Sequence, residues 1–118
     1  MASAGKRAVP PIPREEFPLP DGGVVFVQAL RITERLALRR DVAALRPANS
    51  DEALEYSMPR LLARTVVDEQ GAPVFDVQQW CDYSASYPTA VLELFNRSSV
   101  LSGLSPGVAE KNSEASRS

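Results

Sequence analysis

The spacing of hydrophobic residues divides this chain into a β-rich beginning and a helical remainder. Residues 17–30 carry β-branched and aromatic side chains on either side of an Asp-Gly-Gly turn signal at 21–23, where glycine reaches positive φ without steric cost. Pro18 and Pro20 have no backbone N–H to donate to a ladder. The pattern therefore predicts a β-hairpin whose first strand lies at a sheet edge.

The next segment, residues 34–45, has the 3.6-residue period of an amphipathic helix. Thr33 is the candidate N-cap, and Glu34 favours the helix start through the macrodipole. The apolar residues form two stripes displaced around the helix: Ile32, Leu36 and Ala43 in one, and Leu38, Val42 and Leu45 in the other. Such a helix either buries both stripes in its own core or offers one of them to a neighbour.

Proline and turn residues divide the middle of the chain. Ser50 can cap a short helix, and Pro59 predicts a break or kink because it removes a helix hydrogen bond and restrains the preceding residue. An apolar segment follows at 61–67, and the Asp-Glu-Gln-Gly signal at 68–71 is the clearest turn in the chain. These features predict a second short hairpin or an extended connection.

Two helices are predicted in the last third of the chain. Asp76 caps the first, over 77–83, and Pro88 suits the first turn of the second, over 88–101, which Gly103 ends. One side of the second helix is apolar and is the candidate protein-binding surface: Val91, Leu94, Phe95 and Leu101. The same stripe would serve equally well as core packing, or for self-association.

These elements predict a small single α+β domain, predominantly helical, with an N-terminal β-hairpin and about four helices. The length of 118 residues fits one domain. Residues 1–14 are basic and proline-rich and are expected to be a flexible arm, and residues 15–104 are the expected globular domain. Residues 105–118 have too few apolar side chains to offset their ordering entropy, which predicts a disordered polar tail.

Composition and charge narrow the classes of partner. The net charge is -2 without a concentrated basic patch, so neither nucleic acid nor an anionic membrane is an expected partner. The chain lacks the roughly 20 consecutive apolar residues of a membrane helix and the apolar core of a secretory signal. One cysteine cannot form an internal disulfide. We therefore expect a soluble intracellular protein.

The residues that usually carry catalysis or bind metals do not form a known motif in this sequence. There is no histidine, and the acidic pairs at 15–16, 51–52 and 68–69 are scattered, so we expect no metal site and no cofactor. The turn at 68–71 lacks the alternating ligands of a calcium loop. Cys81 has no histidine to activate it and is predicted to be a small buried hydrophobe. These observations argue against an enzyme.

Two clusters of side chains have alternative interpretations. The aromatic residues Trp80, Tyr83 and Tyr87 either pack in the core or form an interaction patch. The basic residues on the first predicted helix either form a solvated face or meet an acidic partner: Arg35, Arg39 and Arg40.

The order of several short segments carries a resemblance that no single segment does. After the arm, hairpin and first helix come Arg-Leu-Leu-Ala-Arg-Thr-Val-Val-Asp-Glu-Gln-Gly-Ala-Pro-Val-Phe at 60–75, Asp-Val at 76–77, Ala-Val-Leu-Glu-Leu-Phe-Asn-Arg at 90–97, Leu-Ser-Gly-Leu at 101–104 and Ala-Glu-Lys-Asn-Ser-Glu at 109–114. This succession, over residues 15–114, resembles the tail assembly chaperones of bacteriophages with long non-contractile tails, the class typified by the lambda G protein.

The resemblance implies a function in assembly and no catalytic residue. Such chaperones bind the tape measure protein and the tail tube subunits and keep them soluble in the host cytoplasm. They are expected to be absent from the mature virion, and a programmed frameshift often adds a C-terminal domain. The alternatives are a minor structural tail or head–tail connector protein of the virion and, with less support, a small enzyme that uses carboxylates only.

Overall fold

Two strands, two helices, a third short strand and two further helices follow one another in the computed structural model, which describes residues 7–104. The elements are β1 Arg14–Pro18, β2 Val24–Gln28, α1 Ile32–Ala44, α2 Ser50–Thr65, β3 Val66–Val67, α3 Val77–Ser86 and α4 Pro88–Leu101. This order confirms the predicted α+β class with an N-terminal hairpin and mostly helical content. The expected disordered tail at 105–118 lies outside the described residues.

The three strands form one antiparallel sheet in the order β1-β2-β3. Gly22 has a φ of 96° in the β1–β2 turn, and Leu19 donates its N–H to the Gly23 carbonyl at 2.7 Å. On the other side of β2, Phe26 pairs with Val67 of β3. The hairpin and the edge position of β1 therefore agree with the sequence pattern.

Helix α1 begins earlier than predicted, and its N-cap is Arg31 and not Thr33. Arg31 has an extended backbone, and its carbonyl accepts the first helical hydrogen bond from the Arg35 N–H at 2.9 Å. The Glu34 carboxylate accepts from the Arg31 N–H at 3.0 Å. Glu34, three residues after the N-cap, thus satisfies the backbone donor of Arg31, as the acidic residue of a capping box does.

Helix α2 also corrects the sequence prediction. Its N-cap is Asn49 and not Ser50, because the Asn49 Oδ1 accepts from the Glu52 N–H at 2.9 Å. The predicted break at Pro59 does not occur, since one helix runs from Ser50 to Thr65 with Pro59 inside it. Packing after the proline, where Leu61 and Leu62 are 2% and 0% exposed, outweighs the lost hydrogen bond.

The predicted second hairpin is reduced to a tight turn with a single bridge. Val67 and Pro73 form that bridge. Within the turn the Asp68 carboxylate accepts from the Gln70 and Ala72 N–H groups, each at 2.9 Å. Gly71 has a φ of 84°. The turn prediction is therefore correct, and the strand that leads into it pairs mainly with β2.

The predicted start of α3 and both predicted ends of α4 are borne out, whereas α3 continues to Ser86, three residues beyond its predicted end at 83. Asp76 Oδ1 accepts from the Gln79 N–H at 2.8 Å, which caps α3. Gly103 follows α4 with a φ of 72°. Leu104 donates its N–H to the Ser99 carbonyl at 2.7 Å, and Gly103 donates to Val100 at 3.1 Å. This pair of bonds is a Schellman motif, which needs the positive φ that glycine allows.

The core consists of two clusters of buried side chains on either side of α2 and α4. Neighbouring residues of these helices point into different clusters: Leu62 and Leu94 into one, Leu61 and Phe95 into the other. The first cluster also contains residues of the sheet and α3: Leu19, Val25, Val27, Val66, Trp80 and Val91. The second lies under α1 and contains Leu30, Leu38 and Val42. The second cluster therefore sets where α1 sits.

Candidate protein-binding groove

The stripe on α4 that the sequence offered as a binding surface is buried in the folded chain. Val91 and Leu94 belong to the sheet-side cluster and are 5% and 0% exposed. Phe95 is 5% exposed in the cluster under α1, and Leu101 is half-buried against the sheet-side cluster. These four residues thus act as core packing, and an accessible binding surface has to be sought elsewhere.

Helix α1 places its two apolar stripes in different surroundings. Leu38 and Val42 of one stripe are buried in the core, whereas Leu45, which follows the helix, is 42% exposed. The other stripe faces outward: Ile32 is 71% exposed, Leu36 is 51% exposed, and Ala43 is also exposed. We call Ile32, Leu36 and Ala43 the exposed stripe. It is an apolar helix face with no partner within residues 7–104.

Next to the exposed stripe lies a cavity of about 420 Å³ between α1, α2 and α4, which we call the α1–α2 groove. Its lining is mostly apolar: Leu38, Val42, Ala43, Pro47, Leu54, Leu61, Phe95 and Leu104, with Arg35, Arg39, Ser57 and Ser99. Ala43 belongs to both the groove and the exposed stripe, and Leu54 is 42% exposed at the opposite wall. The groove and the exposed stripe therefore meet at Ala43, and Arg35 and Arg39 lie between the stripe and the apolar groove residues of α1.

The spacing of residues along the helices explains how the groove arises. From α2, Leu54, Ser57 and Leu61 are three and four positions apart, which puts them on one helix face. At the end of α4, the Schellman turn brings Leu104 to the groove. Because each wall belongs to a different element, the groove depends on tertiary packing and is not visible in any one stretch of sequence.

Two arginines give the α1 side of the groove a positive charge. Arg35 is half-buried; one of its terminal nitrogens donates to the Ser102 carbonyl, while its Nε is buried without a hydrogen-bond partner in the described part of the chain. Arg39 and Arg40 are exposed. The predicted solvated basic face therefore describes Arg39 and Arg40 but not Arg35.

Nearby carboxylates do not neutralise this charge. Asp41 pairs with Arg64 at 2.9 Å, and Glu34 lies 3.8 Å from Arg31. Among residues 7–104, Arg39 forms no salt bridge. Arg39 is thus available to a negatively charged group bound in the groove.

The aromatic residues form a row that begins in the core and ends near the surface. Ring centroids lie 4.9 Å apart for Phe75–Trp80, 5.7 Å for Trp80–Tyr83 and 4.9 Å for Tyr83–Tyr87. Trp80 is 1% exposed and packs in the core, whereas the two tyrosines are half-buried. Burial, followed by the hydrogen bond from the Tyr83 hydroxyl to Asp21 at 3.2 Å, raises the pKa of Tyr83 to about 12.

Cys81 contradicts its sequence prediction, because the thiol is exposed and not buried. Trp80 occupies the buried face of α3, and the next residue along a helix points about 100° away from it.

Among residues 7–104, Cys, Asp and Glu side chains do not form a group of three or more that could hold a metal ion. No helix in the same range is long and apolar enough to span a bilayer.

Compared with known proteins, the chain matches no family model, no curated protein and no solved structure. The resemblance to tail assembly chaperones therefore rests on the ordered sequence motifs.

Proposed function

We propose that this protein is a tail assembly chaperone of a long-tailed bacteriophage, which binds the tape measure protein and the tail tube subunits. It acts in the host cytoplasm and is absent from the finished virion. The ordered motifs over 15–114 support this assignment. The structural observation that carries it is the mostly apolar α1–α2 groove, with the exposed stripe beside it on α1.

An exposed, contiguous apolar surface on a small domain is typical of a protein interaction site. An engineered cavity of about 150 Å³ holds one benzene-sized group, so a groove of about 420 Å³ has room for two or three such groups. A helix that lies in a groove uses apolar side chains at i, i+3, i+4 and i+7 as anchors. The surface therefore suits the apolar side of a helical segment of a partner.

This binding mode fits the task of an assembly chaperone. The tape measure protein of the resembled family is long and mostly helical, and its apolar side chains would aggregate if left uncovered. Several copies of the chain, each covering one short helical segment, would hide that surface. Arriving tube subunits would then displace the copies of the chain from the tape measure protein.

The first experiment co-expresses the chain with the tape measure gene from the same gene neighbourhood. We expect the tape measure protein to become soluble and to co-purify with the chain. Leu54→Asp, which puts a charge in the groove wall, should abolish co-purification. The matched control is Leu92→Asp on α4, which is similarly exposed (50% against 42% for Leu54) and does not line the groove. Thermal unfolding should show that both variants fold.

The outcomes separate the possible functions. A tape measure protein that stays insoluble with the unchanged chain would overturn the chaperone proposal. Detection of the chain in purified virions by mass spectrometry would then favour a minor structural tail or head–tail connector protein. If the Leu54 and Leu92 variants lose co-purification equally, the α1–α2 groove is not the specific binding surface for the tape measure protein.

A further inference from the structure

We infer that the α1–α2 groove selects an amphipathic helix that carries carboxylates along one side of its apolar stripe. This inference deepens the proposed function, on which it rests for the identity of the natural partner. The chemistry of recognition is argued from the residues that line the groove.

The charge in the groove is one-sided. Arg35 and Arg39 line the α1 wall and are four residues apart, so they lie about one turn, or 6 Å, apart along the helix. The α2 wall contributes Leu54, Ser57 and Leu61, none of which is charged. A ligand helix with acidic residues four positions apart on the side that faces α1 would match this arrangement.

The two arginines have different parts in recognition. Arg35 is held in place by its bond to the Ser102 carbonyl, and it contributes a fixed positive charge to the α1 wall. Arg39 is exposed and has no salt bridge among residues 7–104, so its side chain can reach a carboxylate. A guanidinium binds a carboxylate with two parallel hydrogen bonds, which gives direction as well as attraction.

The preference must be local, because the whole chain has a net charge of -2 and would weakly repel an acidic ligand at long range. Selection therefore depends on which arginine lines the groove. Arg40 supplies an internal comparison. It is adjacent to Arg39 and also exposed, but it points about 100° away and does not line the groove.

The test uses the full chain and two synthetic helical peptides with the same leucine and alanine stripe. One carries glutamates at i and i+4 beside the stripe, and the other carries lysines at those positions. Fluorescence anisotropy measures both affinities at low and high salt. We expect the glutamate peptide to bind about tenfold more tightly at low salt, with the difference shrinking as salt rises. In NMR spectra of the chain, the bound peptide should change the backbone amide chemical shifts of Leu54 and Ala43.

Two charge-reversal variants make the test specific. Arg39→Glu should abolish the preference for the glutamate peptide, because the new carboxylate offsets the charge of Arg35, whereas Arg40→Glu, with the same change in net charge, should keep the preference. Equal affinities of the unchanged chain for the two peptides, or the same effect of Arg39→Glu and Arg40→Glu on the preference, would overturn the inference. If the tape measure protein still co-purifies in that case, the chaperone function stands without the acidic preference. Peptide selection without rescue of the tape measure protein would support the inference and overturn the function.

Discussion

The backbone N–H of Leu30 donates a hydrogen bond to the side-chain oxygen of Ser102 at 2.9 Å, although the two residues are 72 positions apart. Both are buried, at 8% and 4% exposure. Arg35 adds a second link to the carbonyl of Ser102. These bonds hold the beginning of α1 against the end of α4, so they fix the relative position of two walls of the α1–α2 groove.

Replacing Ser102 with alanine should destabilise the protein, because it leaves the buried N–H of Leu30 without an acceptor. We expect a loss of about 1–3 kcal/mol in the free energy of unfolding, measured by urea denaturation. The control is Ser84→Ala, which removes an exposed hydroxyl bond to the Cys81 carbonyl and should cost about 0.5 kcal/mol or less. Equal losses in the two variants would show that the buried bond has no special part in stability.

Leu92 and Leu94 of α4 should respond very differently to truncation. Leu94 is 0% exposed in the core, whereas Leu92 is 50% exposed two residues earlier on the same helix. Leu94→Ala should therefore cost about 2–5 kcal/mol, and Leu92→Ala within about 0.5 kcal/mol. Chemical denaturation of both variants gives the comparison. A mild effect at Leu94 would contradict its core position and restore the stripe as a candidate interface.

Local chemistry made several parts of the fold predictable. The Asp76 cap, the Asp-Gly-Gly turn and the stop at Gly103 each depend on a few adjacent residues, and each is found as expected. Pro59 was not predictable in the same way. Its local effect favours a break, but the burial of Leu61 and Leu62 keeps α2 continuous, and burial is a property of the whole fold.

The candidate site was harder to predict for a related reason. A stripe with a 3.6-residue period looks the same whether it packs on its own core or on a partner. Periodicity alone therefore did not show which of Leu94 and Leu36 is buried and which is exposed. The fold separates them, with Leu94 at 0% and Leu36 at 51% exposure. The two displaced stripes of α1 were the one sequence signal for an outward apolar face. The groove itself forms only where three helices are in contact. Arg35 is held in its wall by a hydrogen bond to Ser102, a contact between residues distant in sequence.

The stop at Gly103 gives a prediction about backbone conformation. Its φ of 72° is in the region that side chains disfavour, while an added Cβ would lie 3.5 Å from the Arg35 side chain, an ordinary contact. Gly103→Ala should therefore cost about 1–2 kcal/mol through conformation alone, and Gly103→Asn should cost less, since asparagine tolerates positive φ. Thermal unfolding of the two variants gives the order. Alanine that is as stable as asparagine would argue against this explanation.

Tyr83 gives a prediction about alkaline pH. Its pKa is raised from 10.0 to about 12, first by burial and then by the hydrogen bond to Asp21. The folded state therefore holds the phenol proton more tightly than the unfolded state. This contribution to stability is complete below pH 10 and is lost as pH rises toward 12. The difference in unfolding free energy between the unchanged chain and Tyr83→Phe should be constant below that window and decline within it.

The carboxylate of Asp21 can be tested as a cause of this shift. Asp21→Asn removes the negative charge beside the phenol and should lower the pKa of Tyr83 toward its ordinary value, as followed by the ultraviolet absorbance of the phenolate. Asp82→Asn is the control, because it lies on the same helix as Tyr83 and bonds Gln78 instead. If the late phenolate step remains in Asp21→Asn, causes other than the Asp21 carboxylate, burial first among them, would account for the raised pKa. If the Asp82 variant moves that step equally, the specific bond from Tyr83 to Asp21 would be excluded as its cause.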